Sequence, residues 1–179
     1  MQSADATERA EAIVWLATHG DMSDAPLLDA RLRDDNDAVR SMAEEGLWLL
    51  WSRSGNPAVD RMLAIGIEAM QAGRQAEAIE VFTQVVENEP AFAEGWNKRA
   101  TAYFLAREYP KSIADCQEVL KLNPRHFGAL SGLGQIYERL DQPREALIWF
   151  RRALEVNPNL GGVEKEIGRL ETLLRQRSI

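Results

Sequence analysis

Three prolines set the frame of this chain. ENEP ends at Pro90, KLNP at Pro124 and EVNP at Pro158, each 34 residues after the one before. A fixed period of this length marks an architecture in which one supersecondary unit is repeated. Aligned on those prolines, the apolar and small residues fall into register. Met62, Trp96 and Leu130 share one position, as do Gly66, Ala100 and Gly134, then Ala69, Tyr103 and Tyr137. Further on, Ala78, Ser112 and Ala146 coincide, followed by Phe82, Cys116 and Phe150, then Val85, Val119 and Ala153.

Within each unit the apolar residues recur at three- and four-residue spacing, which is one face of an α-helix. In the first unit the spacing predicts helix A over about Arg61 to Ala72, a turn at "AGR", and helix B over about Gln75 to Asn88. Pro90 then stops helix B. Small residues such as Gly66 with Ala78, and Gly134 with Ala146, stand where the paired helices must approach closely. A lone hairpin of this size cannot cover its own apolar face, whereas stacked hairpins bury a continuous one.

The pattern resembles the tetratricopeptide repeat (TPR) family, W-x2-L-G-x2-Y, A-x3-F and P over 34 residues, across about residues 57–160. Arg99, Cys116 and Ser112 depart from it in the middle unit, where the family has an apolar residue, an aromatic and an alanine. Residues 1–56 lie outside this register. Pro26-Leu27-Leu28, the acidic turn Asp34 to Asp37, Val39-Arg40, Ala43 and Leu47 resemble a HEAT repeat instead, with Asn36 or Asp37 placed to cap the helix that follows. The expected fold is therefore all-α. It is a right-handed α-solenoid of three TPR helix pairs (about 59–92, 93–126 and 127–160), with an N-terminal HEAT-like helical extension over 1–56 and a C-terminal capping helix over 161–179. In that last segment Val163, Ile167, Leu170, Leu173 and Leu174 form a single stripe, suited to sealing a stack. Trp48 and Trp51, at helical spacing, are expected in the core rather than in an aromatic binding patch.

The stretch NPRHFGALSGLGQIY, Asn123 to Tyr137, invites a phosphate-binding reading because Gly128, Gly132 and Gly134 follow Arg125 and His126. A dinucleotide fingerprint needs a preceding strand and a third glycine where Tyr137 stands, and a P-loop needs G-K-[ST]. Gly134 instead occupies the helix-A packing position of Gly66 and Ala100.

Composition narrows the function. A formal charge of −7 opposes general nucleic-acid binding, which needs clustered Lys and Arg. The excess is local, because residues 1–57 carry 11 acids against 5 bases, as expected of a solvated face. A single cysteine demands no oxidising compartment, and MQSADATERAEA lacks the basic and apolar regions of a signal peptide. With no apolar run of about 18 residues, no membrane insertion is expected, and the chain reads as cytoplasmic. His19, His126 and Cys116 form no metal-ligand or nucleophile–base spacing, so no catalytic residue, metal or cofactor is expected.

The TPR resemblance implies a protein or peptide partner on the concave face lined by the A helices. At the family's contact positions stand Leu63, Ile67 and Met70; then Asn97, Thr101, Phe104 and Leu105; then Ser131, Gln135, Glu138 and Arg139. Asn97, Thr101, Phe104, Ser131, Gln135 and Glu138 are the expected groove residues. Chaperone-binding members carry Lys, Asn and Arg side chains that clamp a carboxylate. In the first unit those positions here hold Leu63 and Ile67, and in the third Gly128 and Gly132, which implies a different ligand class. The expected role is a scaffold or adaptor; the alternative is a permanently bound regulatory or assembly subunit.

Overall fold

A computed structural model describes residues 3–177, and every regular element among them is helical. The chain divides into two compact modules. One comprises the chain up to Arg53 with Asn157–Leu160; the other comprises Ser54–Val156 and the chain from Gly161 on.

The N-terminal module holds α1 (Ala6–His19), a 3-10 turn at Met22–Asp24, α2 (Ala25–Arg31) and α3 (Asp37–Trp51). Side chains fix each start. Asp5 accepts the Thr7 N–H at 2.8 Å, Pro26 opens α2, and Asn36 accepts from both Ala38 and Val39. Ile13, Leu28, Leu32, Val39, Leu47 and Leu50 are buried. Trp51 is buried as expected, while Trp48 is half-buried and meets it edge-on at 5.4 Å.

The acidic run is more than a solvated turn. The Asp34 side chain is 2% exposed and takes a two-pronged bond from Arg9, at 2.9 and 2.7 Å, while Arg31 lies 3.1 Å away. The Arg40 guanidinium donates to the Asp34 carbonyl at 2.9 Å and to Asn159 Oδ1 at 3.1 Å. The Arg9 hydrogen bonds, opposed by burial, hold the Asp34 carboxyl well below the usual aspartate range. Because folding lowers this group, its contribution is full above the unfolded value, about 3.9, and is lost as pH falls from there toward the folded value. Asp34→Asn is thus expected to melt below the parent at pH 6 and to converge with it on acidification. A gap that stays constant between pH 6 and pH 2.5 would show that the pair contributes nothing titratable.

The repeat module consists of three hairpins and a final helix. The hairpins are α4 (Pro57–Gln71) with α5 (Gln75–Asn88), α6 (Ala93–Leu105) with α7 (Tyr109–Leu122), and α8 (Phe127–Arg139) with α9 (Pro143–Val156). Helix α4 starts earlier than the periodicity indicated, because Asn56 caps it through the Ala58 N–H and Pro57 supplies its first residue. Each B helix stops two residues before its proline. Each A helix ends the same way: the N–H of Arg74, Glu108 or Gln142 returns to the carbonyl of Ala69, Tyr103 or Tyr137 at 2.8–2.9 Å. This closure puts Gly73, Arg107 and Asp141 at φ of +75°, +61° and +55°. Only the first is the residue that takes this conformation without cost.

Consecutive helices pack on one another throughout, and the A helices α4, α6 and α8 also touch in sequence. Helix α10 (Gly161–Gln176) lies against α9. It buries Leu170 and lays Val163, Ile167, Leu173 and Leu174 against Ala146, Leu147 and Phe150.

Close approach within the outer hairpins pairs a glycine with a phenylalanine 16 positions on. A Cβ on Gly66 would stand 2.4 Å from the Phe82 ring, and one on Gly134 would stand 2.4 Å from the Phe150 ring. The middle hairpin uses Ala100 and Cys116 at these same positions. A larger residue on helix A is thus matched by a smaller one on helix B. Ser112 is buried there too, and its hydroxyl donates to the Ala100 carbonyl at 2.7 Å.

Candidate functional site: the face of the A helices

Two depressions lie on the A-helix side of the repeat module. The larger, about 430 Å³, is lined by Phe104, Gln135, Glu138 and Arg139, with Gly162, Val163 and Glu166 of α10. The smaller, about 60 Å³, includes Asn97, Thr101, Phe104 and Gln135 in its walls. Five of the six expected groove residues are thus brought together, with Phe104 and Gln135 common to both. Ser131 lines neither; it is half-buried, and its hydroxyl donates to the Gly128 carbonyl at 3.0 Å.

The surroundings differ from residue to residue. Gln135 and Thr101 are exposed, and Thr101 donates to the Asn97 carbonyl at 2.9 Å. Glu138 is tied to α10 through Arg169, and the Arg139 guanidinium sits 6.0 Å from the Phe104 ring. Leu63 is buried in the first hairpin's core, with Ile67 and Met70 packed against it. The first repeat therefore spends its contact positions largely on packing.

Asn97 is 8% exposed, and its amide donates to Glu94 Oε2 at 3.0 Å. The same oxygen faces His126 Nε2 at 3.0 Å, and the Lys98 ammonium lies 2.9 Å from Oε1. His126 Nδ1 accepts the Ala129 N–H at 3.1 Å and so caps α8. Because a backbone N–H can only donate, Nδ1 accepts, and Nε2 is left to carry its hydrogen toward Glu94. Burial alone would push the Glu94 carboxyl up; the His126 hydrogen bond, with the nearby Lys98 ammonium, outweighs it and holds it below the usual glutamate range. Substituting Asn97 therefore perturbs this network as well as the groove, whereas Gln135 probes the groove alone.

The unusual Arg99 also finds its reason. Its Nε and Nη2 reach the two oxygens of Asp115 at 2.7 and 2.8 Å, and its guanidinium lies 4.8 Å from the Trp96 ring. The flanking units hold Ile65 with Val81, and Leu133 with Trp149, at these positions. The 16-residue spacing that joins Gly66 to Phe82 is the signal that could have found this pair. Cys116 sits against α8, and burial, with the neighbouring Asp115 charge, pushes its thiol up to about 12. Such a thiol stays protonated at neutral pH and is no nucleophile. Among the described residues no group of three or more His, Cys, Asp or Glu could hold a metal ion. Among them, too, no helix is long and apolar enough to cross a membrane.

Stacked helical hairpins with small-residue contacts and a depression along one helix row define an α-helical repeat protein. Models of the tetratricopeptide repeat match residues 63–126 and 128–160, together more than half of the chain. The chain belongs to the tetratricopeptide repeat family. It is 33% identical over 124 residues to a TPR repeat-containing protein of Rhizobium etli, covering 69% of this chain and 60% of that protein. It is 27% identical over 84 residues to anaphase-promoting complex subunit 3 of Schizosaccharomyces pombe, covering 47% of this chain and 13% of the relative. Its fold matches the first TPR of Spaghetti (RPAP3) bound to the HSP90 peptide SRMEEVD, with a TM-score of 0.63 and 25% identity over 65% of this chain and 93% of that one. MamA matches in fold at a TM-score of 0.63 and 21% identity, over 81% of this chain and 87% of its own.

Proposed function

We propose that this chain is a non-catalytic interaction scaffold that takes a peptide or helix against the A-helix face of its repeats. The observation that carries this reading is the depression of about 430 Å³ bordered by Phe104, Gln135 and Glu138. It combines an aromatic wall with an exposed amide able to pair with peptide backbone. The HSP90 peptide held by the related RPAP3 repeat supports a peptide on this fold. The ligand class differs, however. A peptide's terminal carboxylate is held by charge-assisted hydrogen bonds. The positions that would supply them are Leu63, Ile67, Gly128 and Gly132, with Leu63 buried.

Random heptapeptides selected on the intact chain test this. Selected peptides are expected to bind with C-terminal amides as well as with free carboxylates. Gln135→Ala should weaken them about three- to tenfold, one hydrogen bond's worth of about 0.5–1.5 kcal/mol. SRMEEVD should not compete. Competition by SRMEEVD, or affinity indifferent to Gln135, overturns the assignment.

The second reading, a subunit held permanently in a larger assembly, has its own observation. In the N-terminal module Val14 and Leu49 are 49% and 55% exposed and line one shallow groove, and Trp15 beside Val14 is 59% exposed. Apolar side chains grouped in this way suit a lasting contact.

A further inference from the structure

The smaller depression has a specific cause. In the outer hairpins Phe82 and Phe150 fill the space over the facing glycine. In the middle hairpin Cys116 stands where the phenylalanine would be, and Ala100 and Cys116 both wall an opening of about 60 Å³. Gly132 completes it from α8. A Cβ there would meet nothing nearer than Cys116 Sγ, at 3.9 Å, unlike the 2.4 Å approach at Gly134. Glycine inside a helix costs stability relative to alanine, and no close packing at this position requires it. What the missing side chain provides is space.

We propose that this pocket is a specificity site for one branched aliphatic side chain of the partner, with leucine the best fit; this rests on the groove reading above. A volume of about 60 Å³ has room for a few water-sized positions, the scale of one aliphatic side chain. Ala100, Cys116 and Ile136 give the apolar floor, the exposed Thr101 and Gln135 give the rim, and no charged residue lines it among the described residues. An acidic side chain entering it would lose water and gain no cation. The pocket therefore selects by shape and against charge.

Capped leucine (N-acetyl-leucine N-methylamide) titrated into the full chain probes the pocket without any selected peptide. Methyl NMR signals of Ala100, Thr101 and Ile136 are expected to shift and saturate, with capped aspartate at least tenfold weaker. Gly132→Ala should raise the melting temperature and weaken capped leucine at least fivefold. Ala100→Gly with Cys116→Phe, which recreates the outer hairpins' pairing, should abolish the shifts. If that double variant fails to fold, Gly132→Ala decides. No saturable shift in the parent, equal shifts with aspartate, or unchanged binding to Gly132→Ala overturns the proposal. Selected heptapeptides that bind the parent and both variants alike would retain the groove and remove the pocket; failure to select any peptide would count against the groove alone.

Discussion

Replacing Asp115 with leucine is expected to destabilise the protein by about 3–5 kcal/mol, the usual cost of leaving one partner of a buried ion pair without its counter-charge. The Asp115 side chain is 6% exposed and that of Arg99 13%, so neither is readily rehydrated in place. Arg99 would retain Thr83, 3.3 Å away, and the faces of the Trp96 and Tyr103 rings. The informative comparison is the double variant Arg99→Leu with Asp115→Leu. The outer hairpins build these positions from Ile65 and Val81, and from Leu133 and Trp149. Exchange of a buried pair for apolar residues is often neutral or stabilising. Urea unfolding of the two single variants and the double should therefore show recovery of most of the loss. If the double variant is as weak as the sum of the singles, the pair is not the unit of stability described.

Gly134→Ala is expected to cost about 1–3 kcal/mol, the range for an overpacked core, although alanine is the better helix former. The added methyl would lie 2.4 Å from the ring of Phe150, which is itself 1% exposed. Phe150→Leu in the same chain should recover part of the loss, because it removes the ring atoms that collide. The control is Gly132→Ala two residues earlier on the same helix, expected to move stability the other way. Two glycine-to-alanine changes of opposite sign within one helix would separate packing from propensity. Equal effects at both sites would mean that the Gly134–Phe150 contact relaxes freely.

The repeat register was legible because hydrophobic periodicity and the three prolines report on local helix geometry, which needs no knowledge of tertiary partners. Helix α5 falls where its spacing puts it. The α4 start was misplaced because Asn56 and Pro57 signal a cap and a first turn, not an apolar face. The left-handed turn was readable at Gly73 but hidden at Arg107 and Asp141, which carry no mark of the conformation they adopt. At the site, the contact positions of the family brought Phe104, Gln135 and Glu138 to one depression. They could not show that Asn97 is committed to Glu94, because that depends on His126, 32 residues on from Glu94 and in the next unit's cap. Asp34 was hidden for a similar reason. A run of acids looks solvated until the distant Arg9 is known to face it.

The sixteen-residue spacing between partners in each hairpin also bears on how the chain reaches its native state. Every one of these contacts closes a short loop, and the chain entropy lost in doing so grows only slowly with length. Within the repeat module such local contacts place few demands on long-range search, as in the faster-folding classes. Any of the three hairpins can therefore serve as the nucleus from which its neighbours grow. The middle one differs in setting an ion pair where its neighbours set two apolar residues.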